Sequence, residues 1–431
     1  MKRLWKVIPP CLSDLQGFQA VLSETEGMGI IDDPSRYKPI GAGQRGRGSH
    51  EYTGRGDYGR RKHGGEQSYE NNRHSEYETQ PGGFGRRRGY ASGVRVLQSD
   101  IRNEDIITGT QDKIMAAFER GKEQFSPDFV LLSCAPSASM IGSDLDYAAE
   151  KIMESSGMPA KEVKIDGEKD YLYGISHTLE AMGKLLLKPG EKIPGMLNIL
   201  GANTIDWTLE MMADMEKLLV SDGWKILSRW GWKESTENLR GAAAASVNLV
   251  VNVSGLRLAR YMENEYGIPY VAGAPFGRLG MQYLLENLRQ KAETGEPGAG
   301  MEECGKTSTE SENSEPQVLI AGEQFTANAI RQALYRKGLK EIRVLSFFDM
   351  DASYQLPGDR KLTGEDDFTA QANLDSVRLI LADPDYRPLV RSDIPWIGLP
   401  NRGSASPVNP AEPFPMVGDA LDAWIAEQKY I

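Results

Sequence analysis

Phe129-Val-Leu-Leu-Ser-Cys-Ala-Pro-Ser-Ala-Ser-Met-Ile-Gly-Ser-Asp-Leu-Asp146 is the stretch that decides the fold. An apolar run ends at Cys134, Pro136 follows, and Ile141-Gly-Ser-Asp144 opens a helix. A run apolar at successive positions has both faces covered, as in the interior of a parallel sheet. The thiol then sits at the carboxyl end of a buried strand, the edge where open α/β sheets place their ligands. A lone Cys in that position reads either as a small buried hydrophobe or as a ligand, and the segment by itself leaves both open.

The same strand-then-helix pattern repeats outward from this stretch. Ser143 to Ser156 reads as a helix ended by Gly157. Gly195 to Gly201 is a strand followed by a helix from Thr208 to Ser221, and Trp224 to Ser228 is a further strand. Ser246 to Val253 reads as a buried strand, and Leu256 to Tyr266 as a helix stopped by Gly267. Gln317 to Gly322 leads into a helix from Ala327 to Lys337, and strands follow at Ile342–Phe348 and Leu379–Asp383. Such alternation specifies parallel sheets with helices on both faces. The 431 residues exceed one ordinary core. The expectation is an α/β protein of three Rossmann-like, doubly wound parallel-sheet domains around a central cavity, over residues 1–190, 191–290 and 316–431.

Two stretches break the pattern. Residues 41–93 are rich in Gly, Arg, Tyr and Ser and almost free of aliphatic side chains, so they bury too little surface to offset their ordering entropy. They read as a flexible insert, with an RNA-binding tail as the less favoured alternative. Residues 291–315 form a polar tract that reads as an interdomain linker and carries Cys304 as a surface thiol. The net charge of −11 weighs against wholesale nucleic-acid binding. No apolar run reaches the ~20 residues of a membrane span, and the first residues lack a signal-peptide core. A cytoplasmic location is expected. Three cysteines (Cys11, Cys134 and Cys304) give no disulfide framework.

Several segments, taken in order, resemble the nitrogenase component 1 superfamily. Cys134 through Asp144 is similar to its Cys-Pro-x-x-x-Ile-Gly-Asp-Asp type signature, and Ile8-Pro-Pro-Cys-Leu-Ser-Asp-Leu-Gln-Gly17 to its N-terminal cluster-cysteine segment. Asp100 to Gly109 resembles the acidic stretch before the second cysteine, and Asn198-Ile-Leu-Gly201 the start of the second domain. Ala259-Arg-Tyr-Met-Glu-Asn-Glu-Tyr-Gly-Ile-Pro-Tyr270, with Pro275-Phe-Gly277 after it, is similar to the segment ending in Tyr-Gly-Ile-Pro-Trp. Val318-Leu-Ile-Ala-Gly-Glu323 matches the opening of the third domain. The resemblance covers most of the chain outside residues 41–93 and 291–315.

The resemblance implies that Cys11 and Cys134 bind an iron–sulfur cluster, expected to be a [4Fe-4S] cubane shared across a subunit interface. A cubane takes four thiolates, and one chain offers two. A symmetric dimer or a paralogous component 1 partner would supply the rest, and Asp14 is a further possible oxygen ligand. The family's third cluster cysteine is missing between Cys11 and Cys134. Its cofactor cysteine would fall near Val251 or Asn252, and its C-terminal cofactor His has no counterpart, since His177 is the last of four histidines. A molybdenum–iron cofactor held in the nitrogenase manner is therefore not expected.

With that ligand gone, the resemblance points to an organic substrate between the domains, contacted by Asn203, Asn252, Ser254 and Phe276, with a tetrapyrrole or another conjugated ring as the natural analogue. Arg257 and Arg260 are candidates for substrate carboxylates or for a solvated helix face, and His177 for a proton donor or a structural hydrogen bond. The chain has no Gly-x-x-x-x-Gly-Lys-Ser/Thr loop and no dinucleotide fingerprint after a strand. Electrons would have to come from outside, in this family from an ATP-dependent iron-protein reductase. The functional expectation is an oxidoreductase subunit that reduces an unsaturated organic substrate. The alternative is a non-catalytic cofactor-assembly or binding scaffold of the same fold.

Overall fold

A computed structural model describes residues 7–33, 95–102, 104–297, 315–399, 401, 403 and 416–431. The expectations for residues 41–93 and for Cys304 lie outside these. The described residues form three all-parallel sheets. The first holds β1 (Met28–Asp32), β2 (Val96–Gln98), β3 (Val130–Cys134) and β4 (Ala160–Glu162), in the order β2-β1-β3-β4. The second holds β5 (Ile193–Leu200), β6 (Lys225–Trp230), β7 (Ala245–Val250) and β8 (Tyr270–Ala272), in the order β6-β5-β7-β8. The third holds β9 (Val318–Ala321), β10 (Ile342–Ser346), β11 (Arg360–Lys361), β12 (Leu379–Ala382) and β13 (Trp396–Gly398), in the order β11-β10-β9-β12-β13. In each sheet the first strand lies inside, and the strand order reverses beside it. Those reversals, at β1/β3, β5/β7 and β9/β12, open a crevice at the carboxyl ends of the strands.

Local chemistry explains the elements that position the site. Val130 to Ser133 are buried on both faces of β3. The helix Leu145–Ser156 starts where the Asp144 side chain accepts from Tyr147 N at 2.9 Å, and stops at Gly157 with φ 68°. Its inner face is Leu145, Ala148, Ala149 and Ile152, the one-face spacing of a helix. The Leu256–Tyr266 helix matches the expected range, ending at Gly267 in the left-handed region.

Two expectations needed revision, and one element went unread. The strand expected to run to Val253 stops at Val250, because Asn252 turns the chain by accepting from Ser254 N at 2.9 Å and a 3-10 turn follows. The polar tract from 291 begins inside a helix, Arg278–Thr294, whose Lys291 is buried. β1, the strand that organises the first sheet, carries no strong strand signal in Met28-Gly-Ile-Ile-Asp32, yet all five residues are buried.

The helix Tyr171–Leu186 ties the sheets together. It packs on Asp14–Leu22 on one side and on Leu256–Tyr266 on the other. Its contact with Asp14–Leu22 is a crossing of backbones. A Cβ on Gly174 would lie 2.0 Å from Asp14 O, and one on Gly17 would lie 2.1 Å from Tyr171 O. Only glycine at both positions allows that approach. One apolar core runs through all three sheets, from Phe18 and Tyr171 through Trp230 and Leu249 to Ile320 and Phe348. Among the described residues, no helix is long and apolar enough to cross a membrane.

Candidate functional site

The carboxyl ends of the second and third sheets face each other across a cleft of about 40 Å³, lined among others by Asp206, Trp207, Met211, Phe276, Glu323 and Met416. Asp206 follows β5 and Glu323 follows β9, each at its sheet's reversal of strand order. The first sheet's block reaches the same point through Tyr171, at the start of its helix.

Asp206 is held by three side chains. Tyr171 Oη donates to Oδ1 at 2.6 Å, while Asn203 Nδ2 and Asn252 Nδ2 donate to Oδ2 at 3.0 and 2.9 Å. Asn203 Oδ1 accepts from Ile205 N and Asp206 N, both at 3.0 Å, which shapes the loop that presents the carboxylate. Burial, with the Asp206 charge second, pushes the Tyr171 phenol well above its usual range, so it stays a donor. The Tyr171 ring meets Phe348 edge-on at 5.2 Å.

Glu323 caps the helix Gln324–Arg336 by accepting from Phe325 N at 3.1 Å and Thr326 N at 2.8 Å, and it also takes Val253 N at 3.2 Å from the second sheet's loop. Burial first, and Asp206 second, push its carboxyl up to about 7 against those three donors. Trp207 and Phe276 form an apolar wall, with ring centroids 5.6 Å apart and planes tilted 40°. Two carboxylates and an aromatic wall thus share one small space, with the buried Tyr171 phenol behind Asp206, which suits binding a compact ligand.

Of the four residues expected to contact substrate, Phe276 lines this cleft. Asn203, Asn252 and Ser254 are buried behind it, where they orient Asp206 and one another, with Ser254 Oγ donating to Asn252 Oδ1 at 2.8 Å. A head group of a few heavy atoms fits the cleft. Arg257 and Arg260 tie elements together. Arg257 Nε bonds Glu180 at 2.8 Å, and Arg260 grips Asp351 with two bonds of 2.6 and 3.0 Å. His177 Nδ1 lies 2.9 Å from Tyr173 O, and its ring stacks on Tyr173 at 3.8 Å, a structural arrangement. Asp206 has no motif to mark it, and Glu323 appears in the sequence only as the end of the segment that opens the third block.

The two expected cluster thiols are placed as follows. Cys134 ends β3 beside Asp32 of β1, with Sγ 3.9 Å from Ile165 O. Burial pushes this thiol up to about 11, and Asp32, Glu162 and Asp166 add to the effect. Cys134 packs against the outer core of the first sheet, whereas Cys11 packs where the main core meets that of the third sheet. Asp14 is fully buried and takes Leu15 N at 2.8 Å. Among the described residues, no group of three or more His, Cys, Asp or Glu side chains comes together to hold a metal ion. Among the described residues, no complete set of four cubane ligands comes together.

Three parallel sheets sharing one core, two of them facing each other across a cleft, define a class of α/β protein. The solved structure of nitrogenase Cp1 at pH 6.5 has this fold, with a TM-score of 0.64 and 12% identity over 99% of this chain and 93% of that one. The family model for nitrogenase component 1 type oxidoreductases matches residues 82–364, and the chain belongs to that family. Among curated relatives, the nitrogenase iron-molybdenum cofactor biosynthesis protein NifE of Nostoc sp. is 24% identical over 66% of this chain and 60% of its own length. A subunit of the light-independent protochlorophyllide reductase of Zygnema circumcarinatum is 24% identical over 45% of this chain and 40% of its own length. The nitrogenase molybdenum-iron protein alpha chain of Clostridium pasteurianum is 23% identical over 46% of this chain and 37% of its own length. The chain therefore spans less than two thirds of the length of each of these relatives.

Proposed function

We propose that the chain is one subunit of a nitrogenase-like oxidoreductase that binds a small organic substrate in the cleft between the second and third sheets. The observation that carries this reading is the pairing of Asp206 and Glu323, from the second and third blocks, in one cavity beside an aromatic wall, with Tyr171 of the first block holding Asp206 from behind. An iron–sulfur cluster, [4Fe-4S] in the expected form, would use Cys11 and Cys134 together with thiolates of a second component 1-type chain, since one chain supplies only two. Relatives named as a reductase subunit and as an alpha chain favour such a partnership. With no nucleotide-binding loop in the sequence, an ATP-dependent iron protein is the expected electron source.

The test is anaerobic purification, alone and co-expressed with a second component 1-type chain, with iron and acid-labile sulfide measured on the product. Brown protein whose iron is lost in Cys134→Ala supports the reading. Colourless, iron-free protein from a cluster-competent host overturns it. That outcome would favour the second reading, an assembly or binding scaffold. The missing three-ligand group among the described residues and the relative named for cofactor biosynthesis support that alternative.

A further inference from the structure

This inference rests on the cleft being the ligand site and names the class of ligand. We propose that the cleft binds a protonated amine, its ammonium head between Asp206 and Glu323 and its apolar body against Trp207 and Phe276.

Charge is the first support. The described residues lining the cleft include two carboxylates and no Lys, Arg or His. Glu323 is 5% exposed and is held by three backbone N–H groups, so its charge is desolvated. The neighbouring Asp206 charge opposes its ionisation. A buried carboxylate is costly until a cation joins it. An entering ammonium supplies that cation, while a carboxylate or phosphate ligand would meet two like charges.

The walls are the second support. Trp207 and Phe276 offer tilted ring faces, and Met211 and Met416 add soft, polarizable surface. Ring faces attract cations through their quadrupole, more strongly where water is excluded. Size is the third. A water needs roughly 10–15 Å³ of such space, so about 40 Å³ admits a head of a few heavy atoms. Rigidity is the fourth, because Tyr171, Asn203 and Asn252 fix Asp206 before any ligand arrives.

The experiment titrates full-length protein, as isolated anaerobically, with n-butylammonium chloride by calorimetry and tryptophan fluorescence, near pH 8. Sodium butyrate and 1-butanol are the isosteric controls. Saturable binding of butylammonium alone is expected, weakened about ten-fold or more in Asp206→Asn and in Glu323→Gln. Should either variant fail to fold, Thr326→Lys at the half-buried edge of the cleft places an internal ammonium there and should abolish binding. Equal binding of butyrate or butanol, unchanged binding in the folded variants, or no saturable binding would overturn the proposal. Iron loading is read separately. Colourless protein that binds butylammonium sinks the oxidoreductase reading alone, and brown protein that does not bind it sinks this inference alone.

Discussion

The Tyr171 hydroxyl donates to Asp206 Oδ1 at 2.6 Å, joining the first residue of the central helix to the loop that follows β5. The bond is partly buried and ends on a carboxylate, the stronger class of hydrogen bond. It fixes which carboxylate oxygen faces the two asparagines and so sets the geometry of the cleft.

Removing that donor leaves Asp206 with one partner fewer in a desolvated place. Tyr171→Phe should therefore cost about 1–3 kcal/mol of stability, read as a lower urea midpoint with an unchanged slope. An unaltered midpoint would show that the bond does not contribute.

Glu323 predicts a pH dependence. Its folded carboxyl titrates at about 7, above the ordinary value of 4.5, so the native state holds a proton that the unfolded state releases. Its contribution is full below about pH 4.5 and falls as pH rises towards 7, by on the order of 3 kcal/mol in all. Asp14, pushed up to about 6 by burial, acts in the same direction. In Glu323→Gln the fall should be shallower, at a cost of about 1 kcal/mol for the weakened helix cap. Denaturation midpoints measured from pH 5 to 8 check both, and equal slopes in the two proteins would refute the assignment.

Gly174→Ala sets a Cβ 2.0 Å from a backbone oxygen that has no rotamer to escape into. The helices must separate, and a loss of about 3 kcal/mol is expected. Thermal denaturation checks it, and a melting temperature like that of the parent would mean the crossing is looser than described.

Deleting residues 43–92 should leave the three sheets intact, because β1 and β2 already pair at Gly29 and Val96 on either side of that segment. A shorter connection would raise stability by about 1–2 kcal/mol at most. A melting point lower by many degrees would show that the segment packs against the rest.

The sequence makes some parts of this protein legible and hides others for physical reasons. The Leu256–Tyr266 helix is legible because its apolar spacing and its Gly267 stop are local signals. β1 is not, because burial supplied by surrounding elements outweighs a weak intrinsic preference. Cys134 is readable at the end of its strand, yet no residue near it tells which groups will surround the thiol. Asp206 is the hardest case. Two of its three donors, Tyr171 and Asn252, lie 35 and 46 positions away, and the local Asn203 is an ordinary loop residue, so the sequence around it does not reveal the carboxylate's setting. Asn252 and Ser254 read as substrate contacts because they follow a strand. The turn they form points them at each other and at Asp206 instead.

All three sheets keep their first strand in the interior, so each sends the loop after that strand to the crevice. Asp206 and Glu323 arrive on two of those loops. Ala202 and Trp207 anchor the loop after β5 in the apolar core, so a loop can be rewritten at its polar positions while its anchors and its sheet stay unchanged. Ligand preference in this architecture is thus adjustable loop by loop, which gives selection a way to change what the protein binds without remaking how it folds.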